Sequence, residues 1–239
     1  MKIQIIPCLQ DNYSYLIIDE ENNIACVVDP SEADPVIEYL ENTQIKLKFI
    51  LNTHHHYDHV GGNQKLKEKY GASVVGYEGD KERIPGIDIL VNDQEIWIHK
   101  NFEAKIIHIP GHTLGHICFY FYKDESVFTG DTLFSLGCGK IFEGTYAQMF
   151  DSLMRLKELP KNTKVFCGHE YTLQNSKFCI IHDKNNKNLK VKLNDIKIKL
   201  KSGLSTIPST IKDELECNIF LRSPNVKTFS KLRDLKDNF

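Results

Sequence analysis

No apolar run in the 239 residues approaches the roughly 18 that a membrane span requires. A transmembrane anchor is therefore not expected. The opening stretch, Met1 to Pro7, has neither the apolar core of a signal peptide nor an Arg-rich presequence. The expectation is a cytoplasmic protein. Cysteine pairing signals are also missing. The seven cysteines (Cys8, Cys26, Cys118, Cys138, Cys167, Cys179 and Cys217) are odd in number and none has CxxC spacing, which excludes a disulfide framework. No internal repeat is present. The lysines between 190 and 201 (Lys190, Lys192, Lys197, Lys199 and Lys201) have no aromatic residues interleaved, as a nucleic-acid stacking platform would need, so they read as a solvated helix face. Neither nucleic acid nor membrane is an expected partner, and a monomer is expected.

What the chain does contain is ordinary for a globular protein, with 41% hydrophobic and 26% charged residues. The net charge of −2 conceals an asymmetry. Residues 1–171 carry 16 Lys+Arg against 25 Asp+Glu, and residues 172–239 carry 14 against 7. That shift from acidic to basic predicts two domains, 1–171 and 172–239. Three strands are expected at 2–7, 13–19 and 24–29, and Ser31 is placed to N-cap a helix continuing to about Asn42. Strand 47–52 follows, then a helix from Asn63 to Tyr70 and a strand from Ala72 to Tyr77. Residues 78–94 read as loop. A second run of strands comes next, at about 95–98, 103–109, 116–122 and 125–129, before a helix at 146–158 and a strand from Lys164 to Cys167. This order is not the alternation of a doubly wound sheet. It suits two sheets packed face to face with helices outside, an α+β arrangement. Beyond Tyr171 the pattern is helical, with an apolar stripe of Leu189, Leu193, Ile196 and Leu200.

The densest chemistry lies in Thr53-His54-His55-His56-Tyr57-Asp58-His59, between the strand and the helix. On extended backbone, alternate side chains point the same way, so His54 and His56 can grip one ion while His55 faces away. Where the chain turns into the helix, Asp58 and His59 can reach a second. Three more strand ends each read apolar run, glycine, ligand: Gly111-His112, Gly130-Asp131 and Gly168-His169. We assign His54, His56 and His112 to one metal and Asp58, His59 and His169 to the other, with Asp131 bridging. Five imidazoles and two carboxylates suit two divalent ions, zinc first, with iron or manganese as alternatives. Asp29 is a candidate acceptor behind the ligands, and His116 a candidate supporting partner outside the set. Two such ions activate a water and polarise a carbonyl. Asp58 and Asp131 are the expected catalytic carboxylates.

With these residues in view, the chain resembles the metallo-β-lactamase superfamily, and within it the glyoxalase II (hydroxyacylglutathione hydrolase) family. The narrower resemblance rests on PCLQDNYSY at 7–15, PGHTLGH at 110–116, GDTLF at 130–134, GCGKIFEG at 137–144, CGHEYT at 167–172 and KDNF at 236–239. It implies a four-layer αββα sandwich followed by a small α-helical C-terminal domain that binds the substrate. It implies a dinuclear metallohydrolase that cleaves the thioester S-D-lactoylglutathione to glutathione and D-lactate, in methylglyoxal detoxification, by attack of a metal-bridging hydroxide. It further implies glutathione binding by Lys140, Tyr171, Arg233 and Lys236. Phe142 stands where many members have Tyr, so a hydroxyl contact to glutathione is lost there. The same superfamily contains glutathione persulfide dioxygenases and nucleic-acid-processing hydrolases, which are the alternative activities.

Overall fold

The structure, a computed structural model, describes all 239 residues. The chain forms two compact units, Met1–His108 with Gly115–Asp124, and Ile109–Leu114 with Glu125–Phe239.

In the first unit, β1 (Lys2–Cys8), β2 (Asn12–Asp19), β3 (Ile24–Val28), α1 (Asp34–Thr43), β4 (Lys46–Leu51), α2 (Tyr57–Val60), α3 (Asn63–Tyr70), β5 (Ser73–Tyr77) and β6 (Ile87–Val91) come in that order. The six strands make one sheet in sequence order. β1, β2 and β3 pair antiparallel, and β3 to β6 pair parallel. All eight residues of β2 and all five of β3 are buried, so this sheet is covered on both faces. One face packs Leu16, Ile18, Val27 and Ile50 against Val36, Ile37 and Leu40 of α1 and Leu66 of α3. β7 (Ile96–His99), β8 (Phe102–His108) and β9 (Ile117–Phe121) follow as an antiparallel meander. Its Trp97 meets Phe49 of β4 edge-on, with ring centroids 5.0 Å apart.

Two local expectations need correction. α1 begins at Asp34, with Ala33 at its cap and no side-chain capping bond. Ser31 is not the cap because the helix starts three residues beyond it, with Pro35 in the first turn. Residues 78–94 are not wholly loop. Pro85 and Gly86 break the chain, but Ile87 and Ile89 then lie half-buried while Asp88 and Leu90 are exposed, the alternation of an edge strand.

The second unit contains β10 (Ser126–Gly130), the short hairpin β11 (Leu133–Phe134) and β12 (Gly137–Cys138), α4 (Tyr146–Lys157) and β13 (Lys164–Cys167). α5 (Thr172–His182), α6 (Lys187–Lys201), β14 (Ser209–Thr210), α7 (Ile211–Cys217) and α8 (Val226–Asp237) complete it. β10 and β13 run parallel, so both end at the same edge. α4 starts with a capping box in which Thr145 and Gln148 satisfy each other's amides. Of the α6 stripe, Leu189 and Ile196 are buried, while Leu193 and Leu200 are half-buried. The polar connection before α6 has a structural use: Asn186 caps the helix by accepting from the Leu189 amide, at 3.0 Å. No disulfide joins the cysteines, and all seven are buried.

Glu214 of α7 is buried and accepts bonds from the Leu136 amide and the Asn218 side chain, at 2.8 and 2.9 Å. Burial nevertheless pushes its carboxyl up to about 7. The folded value lies above the unfolded one. The contribution to stability is therefore complete below the ordinary Glu range and is lost as pH rises through about 7. Glu214→Gln keeps the shape without the charge. Its stability relative to the parent should rise between about pH 5 and about pH 8, by about 2 kcal/mol. Denaturant melts across that range measure this, and parallel pH profiles for the two proteins would contradict it.

Candidate active site

The first unit presents the histidine motif on the loop that leaves β4. Asn52 and Asn63 pair through their amides at the base of this loop, at 2.7 and 3.3 Å, and Asn52 also donates to the His59 carbonyl. Asp29 ends β3 with a left-handed backbone, φ 47°, a conformation more accessible to Asp than to most residues. Its buried carboxylate accepts from the Thr53 amide at 2.8 Å, from the Thr53 hydroxyl at 2.6 Å and from His59 Nδ1 at 3.0 Å. Asp29 is thus the acceptor that the sequence suggested.

These bonds settle the imidazole tautomers. His59 donates through Nδ1, so its Nε2 carries the lone pair. Thr53 Oγ1 gives its proton to Asp29 and accepts from His54 Nδ1, at 3.0 Å, so the His54 lone pair is also on Nε2. The rings of His54 and His59 have centroids 4.2 Å apart, and those of His54 and His56 are 4.7 Å apart. Asp58 is oriented by Asn12, whose amide donates to both its Oδ2 and its main-chain oxygen, each at 3.1 Å. Asp58 Oδ2 lies 3.6 Å from His59 Nε2. His116 is buried and stacks on His54 at 4.5 Å. His55 turns away to Asp80, at 3.1 Å.

The second unit holds His112, Asp131 and His169 together. His112 Nε2 is 3.6 Å and His169 Nε2 3.3 Å from Asp131 Oδ2. Asp131 follows the end of β10 and His169 the end of β13, and the shared edge of these parallel strands brings them close. Gly130 makes the turn at φ 47°. Gly111, at φ 150°, lets α4 approach, since a Cβ there would lie 2.7 Å from that of Met149. His112 Nδ1 donates to the Lys140 carbonyl at 2.7 Å, which again leaves the lone pair on Nε2. In each unit the imidazoles whose Nδ1–H is held by an oxygen acceptor, His54 and His59 in the first and His112 in the second, present Nε2 lone pairs, with Asp58 at that of His59 and Asp131 at that of His112; this donor chemistry fits divalent metal ions.

The second unit also contains a cavity of about 250 Å³, lined among others by Lys140, Tyr171, Arg233 and Lys236. Tyr171 stacks on His169 with centroids 4.7 Å apart. Arg233 is buried, being only 4% exposed. It donates to the Cys138 carbonyl at 2.7 Å and to Asp237 at 2.9 and 3.2 Å. The Lys236 ammonium sits over the Phe178 and Phe239 rings, and burial lowers its pKa. Phe142 does not line this cavity; it is 61% exposed, with its ring edge-on to His112 at 5.2 Å. The sequence reading missed Asn12, Asp237 and Asn175, the last of which also lines the cavity. Asn12 and Asp237 lie inside segments that carried the resemblance, but nothing local marks Asn175.

Residues 10–169 match the sequence model of the Metallo-beta-lactamase superfamily, and residues 170–239 that of the Hydroxyacylglutathione hydrolase C-terminus. A hydroxyacylglutathione hydrolase of Pelagibacter ubique is 75% identical over 239 residues, which is all of both chains. A crystal structure of ETHE1 from Myxococcus xanthus superposes with a TM-score of 0.76 at 24% identity, over 98% of this chain and 90% of that one. A di-iron-bound form of TTHA1623 is 28% identical, with a TM-score of 0.58, over 71% of this chain and 92% of that one. The fold is the expected α+β metallo-β-lactamase arrangement followed by C-terminal helices. The chain belongs to the metallo-β-lactamase superfamily and, within it, to the hydroxyacylglutathione hydrolases.

Proposed function

We propose that the chain hydrolyses S-D-lactoylglutathione and related 2-hydroxyacylglutathiones to glutathione and the free acid. The observation that carries this reading is the 75% identity, over both full lengths, to a hydroxyacylglutathione hydrolase. The tautomers fixed at His54, His59 and His112, and the basic cavity of the second unit, support it.

In this reading His54, His56 and His112 hold one divalent ion, Asp58, His59 and His169 hold a second, and Asp131 serves both. Zinc is the proposed metal, and the same donors accept iron or manganese. Bound ions there lower the pKa of water toward neutrality and polarise a carbonyl. The chain's own residues do the rest. Asp58, oriented by the Asn12 amide, takes up the proton that the attacking water loses. Lys140 and Lys236 meet the glutathione carboxylates, and Tyr171 supplies a hydroxyl. Arg233 lines the same cavity with its guanidinium set by Cys138 and Asp237. The leaving thiolate has a conjugate acid pKa near about 8.5, so it needs little help from a general acid. Residues 1–171 form the catalytic part and 172–239 supply substrate binding. A cytoplasmic monomer with no nucleic-acid or membrane partner belongs to the same proposal. No helix is long and apolar enough to cross a membrane.

Asp131→Ala should lose bound metal and turnover together, by a factor of at least about 100 in kcat, while the far-ultraviolet spectrum stays that of a folded chain. Full metal content and full turnover in that variant would reject the shared-ligand assignment. Lys236→Ala removes binding rather than chemistry. KM for the glutathione thioester should rise by about 10-fold or more with kcat nearly unchanged. Steady-state kinetics decide this, and an unaltered KM would place glutathione elsewhere.

A further inference from the structure

Asp80 belongs to neither ligand set, yet its side chain is entirely buried beside the motif loop. Its Oδ2 accepts from His55 Nδ1 at 3.1 Å. Its Oδ1 accepts from Arg83 Nε at 3.1 Å and from Nη2. Arg83 Nη1 lies 3.4 Å from His55 Nε2. The three side chains close a ring. With the Nδ1 proton given to the carboxylate, His55 Nε2 is an acceptor facing an arginine N–H, so both ring nitrogens are occupied.

The carboxylate also rests against bare backbone. A Cβ at Gly115 would lie 2.0 Å from Asp80 Oδ1 and 2.2 Å from its Cγ. The next residue, His116, is the one stacked on His54 at 4.5 Å. Asp80 therefore joins three segments: the motif loop, its own turn and the 115–116 stretch.

We propose that Asp80 is a positioning residue. Together with Arg83 it clamps His55, withdraws that imidazole from competition with its neighbours, and fixes the register in which His54 and His56 offer their nitrogens to one ion. The inference rests on the reading of His54 and His56 as ligands. A purely structural ion pair would affect stability without acting through His55.

The test is a double-mutant cycle read by metal affinity. Parent, Asp80→Ala, His55→Ala and the double variant are stripped of metal and titrated with Zn²⁺ against a chromophoric chelator. Asp80→Ala should bind zinc ~10–100-fold more weakly. In the His55→Ala background the same substitution should change affinity by no more than about twofold. Unchanged affinity in Asp80→Ala, or an equal loss in both backgrounds, overturns the clamp. Should Asp80→Ala not fold, Asp80→Asn keeps the volume and is read in the same way, and parent-like affinity there overturns the proposal equally. A parent whose zinc uptake is indifferent to His54→Ala and His56→Ala rejects the ligand reading itself. A parent that binds zinc through those two residues, with Asp80→Ala its equal, rejects only the clamp.

Discussion

The Asp29 carboxylate accepts the Thr53 amide, the Thr53 hydroxyl and the His59 Nδ1–H, and what the motif loop offers to a metal depends on those three bonds. A buried carboxylate is costly unless its lone pairs are satisfied, and here three donors converge on it. The benefit is directional. Two of the donors that Asp29 engages fix a proton on Nδ1 of an imidazole and leave the lone pair on Nε2, directly for His59 and through the Thr53 hydroxyl for His54. The left-handed backbone at Asp29 aims the carboxylate, and the covered sheet holds β3 and β4 in parallel register beneath it. The nitrogens proposed to meet a metal are in this way set by the protein's own hydrogen bonds.

The second unit repeats the device with a different acceptor. The Lys140 carbonyl takes the His112 Nδ1 proton, and it belongs to the segment whose lysine side chain enters the cavity. The Arg233 guanidinium holds the neighbouring Cys138 carbonyl. One short stretch, Cys138 to Lys140, is therefore tied to a candidate metal ligand on one side and to a cavity-lining cation of α8 on the other. Gly139 between them is required by space, since a Cβ there would sit 1.9 Å from the Asp131 carbonyl oxygen.

Much of this was legible in the sequence because the candidate ligands are local features. A histidine run after an apolar strand, and three strand ends of the form glycine then ligand, need only the alternation of extended chain to be read. The strands themselves fall close to their expected positions for the same reason. What escaped depends on contacts distant in sequence. Ser31 has the side chain of a helix cap, but its amide is tied to Ser14, seventeen residues earlier, and the helix starts only at Asp34. β6 hides behind Pro85 and Gly86 and gains its identity only by pairing with β5. The packing of Arg233 and Lys236 against Phe220, Phe178 and Phe239 is likewise not a local property. Asp80 sits in a stretch that reads as loop, and only its partners reveal why a carboxylate is there.

In the proposed function, this chain's histidines and aspartates serve a metal-dependent cleavage of a glutathione thioester. Loss of the thioester absorbance of S-D-lactoylglutathione, followed with the protein as purified and again after chelation and metal restoration, tests it most directly. Rapid hydrolysis, abolished by chelation and recovered on adding Zn²⁺, is the expected result. Hydrolysis indifferent to chelation, or none at all by protein shown to hold two ions, would contradict it.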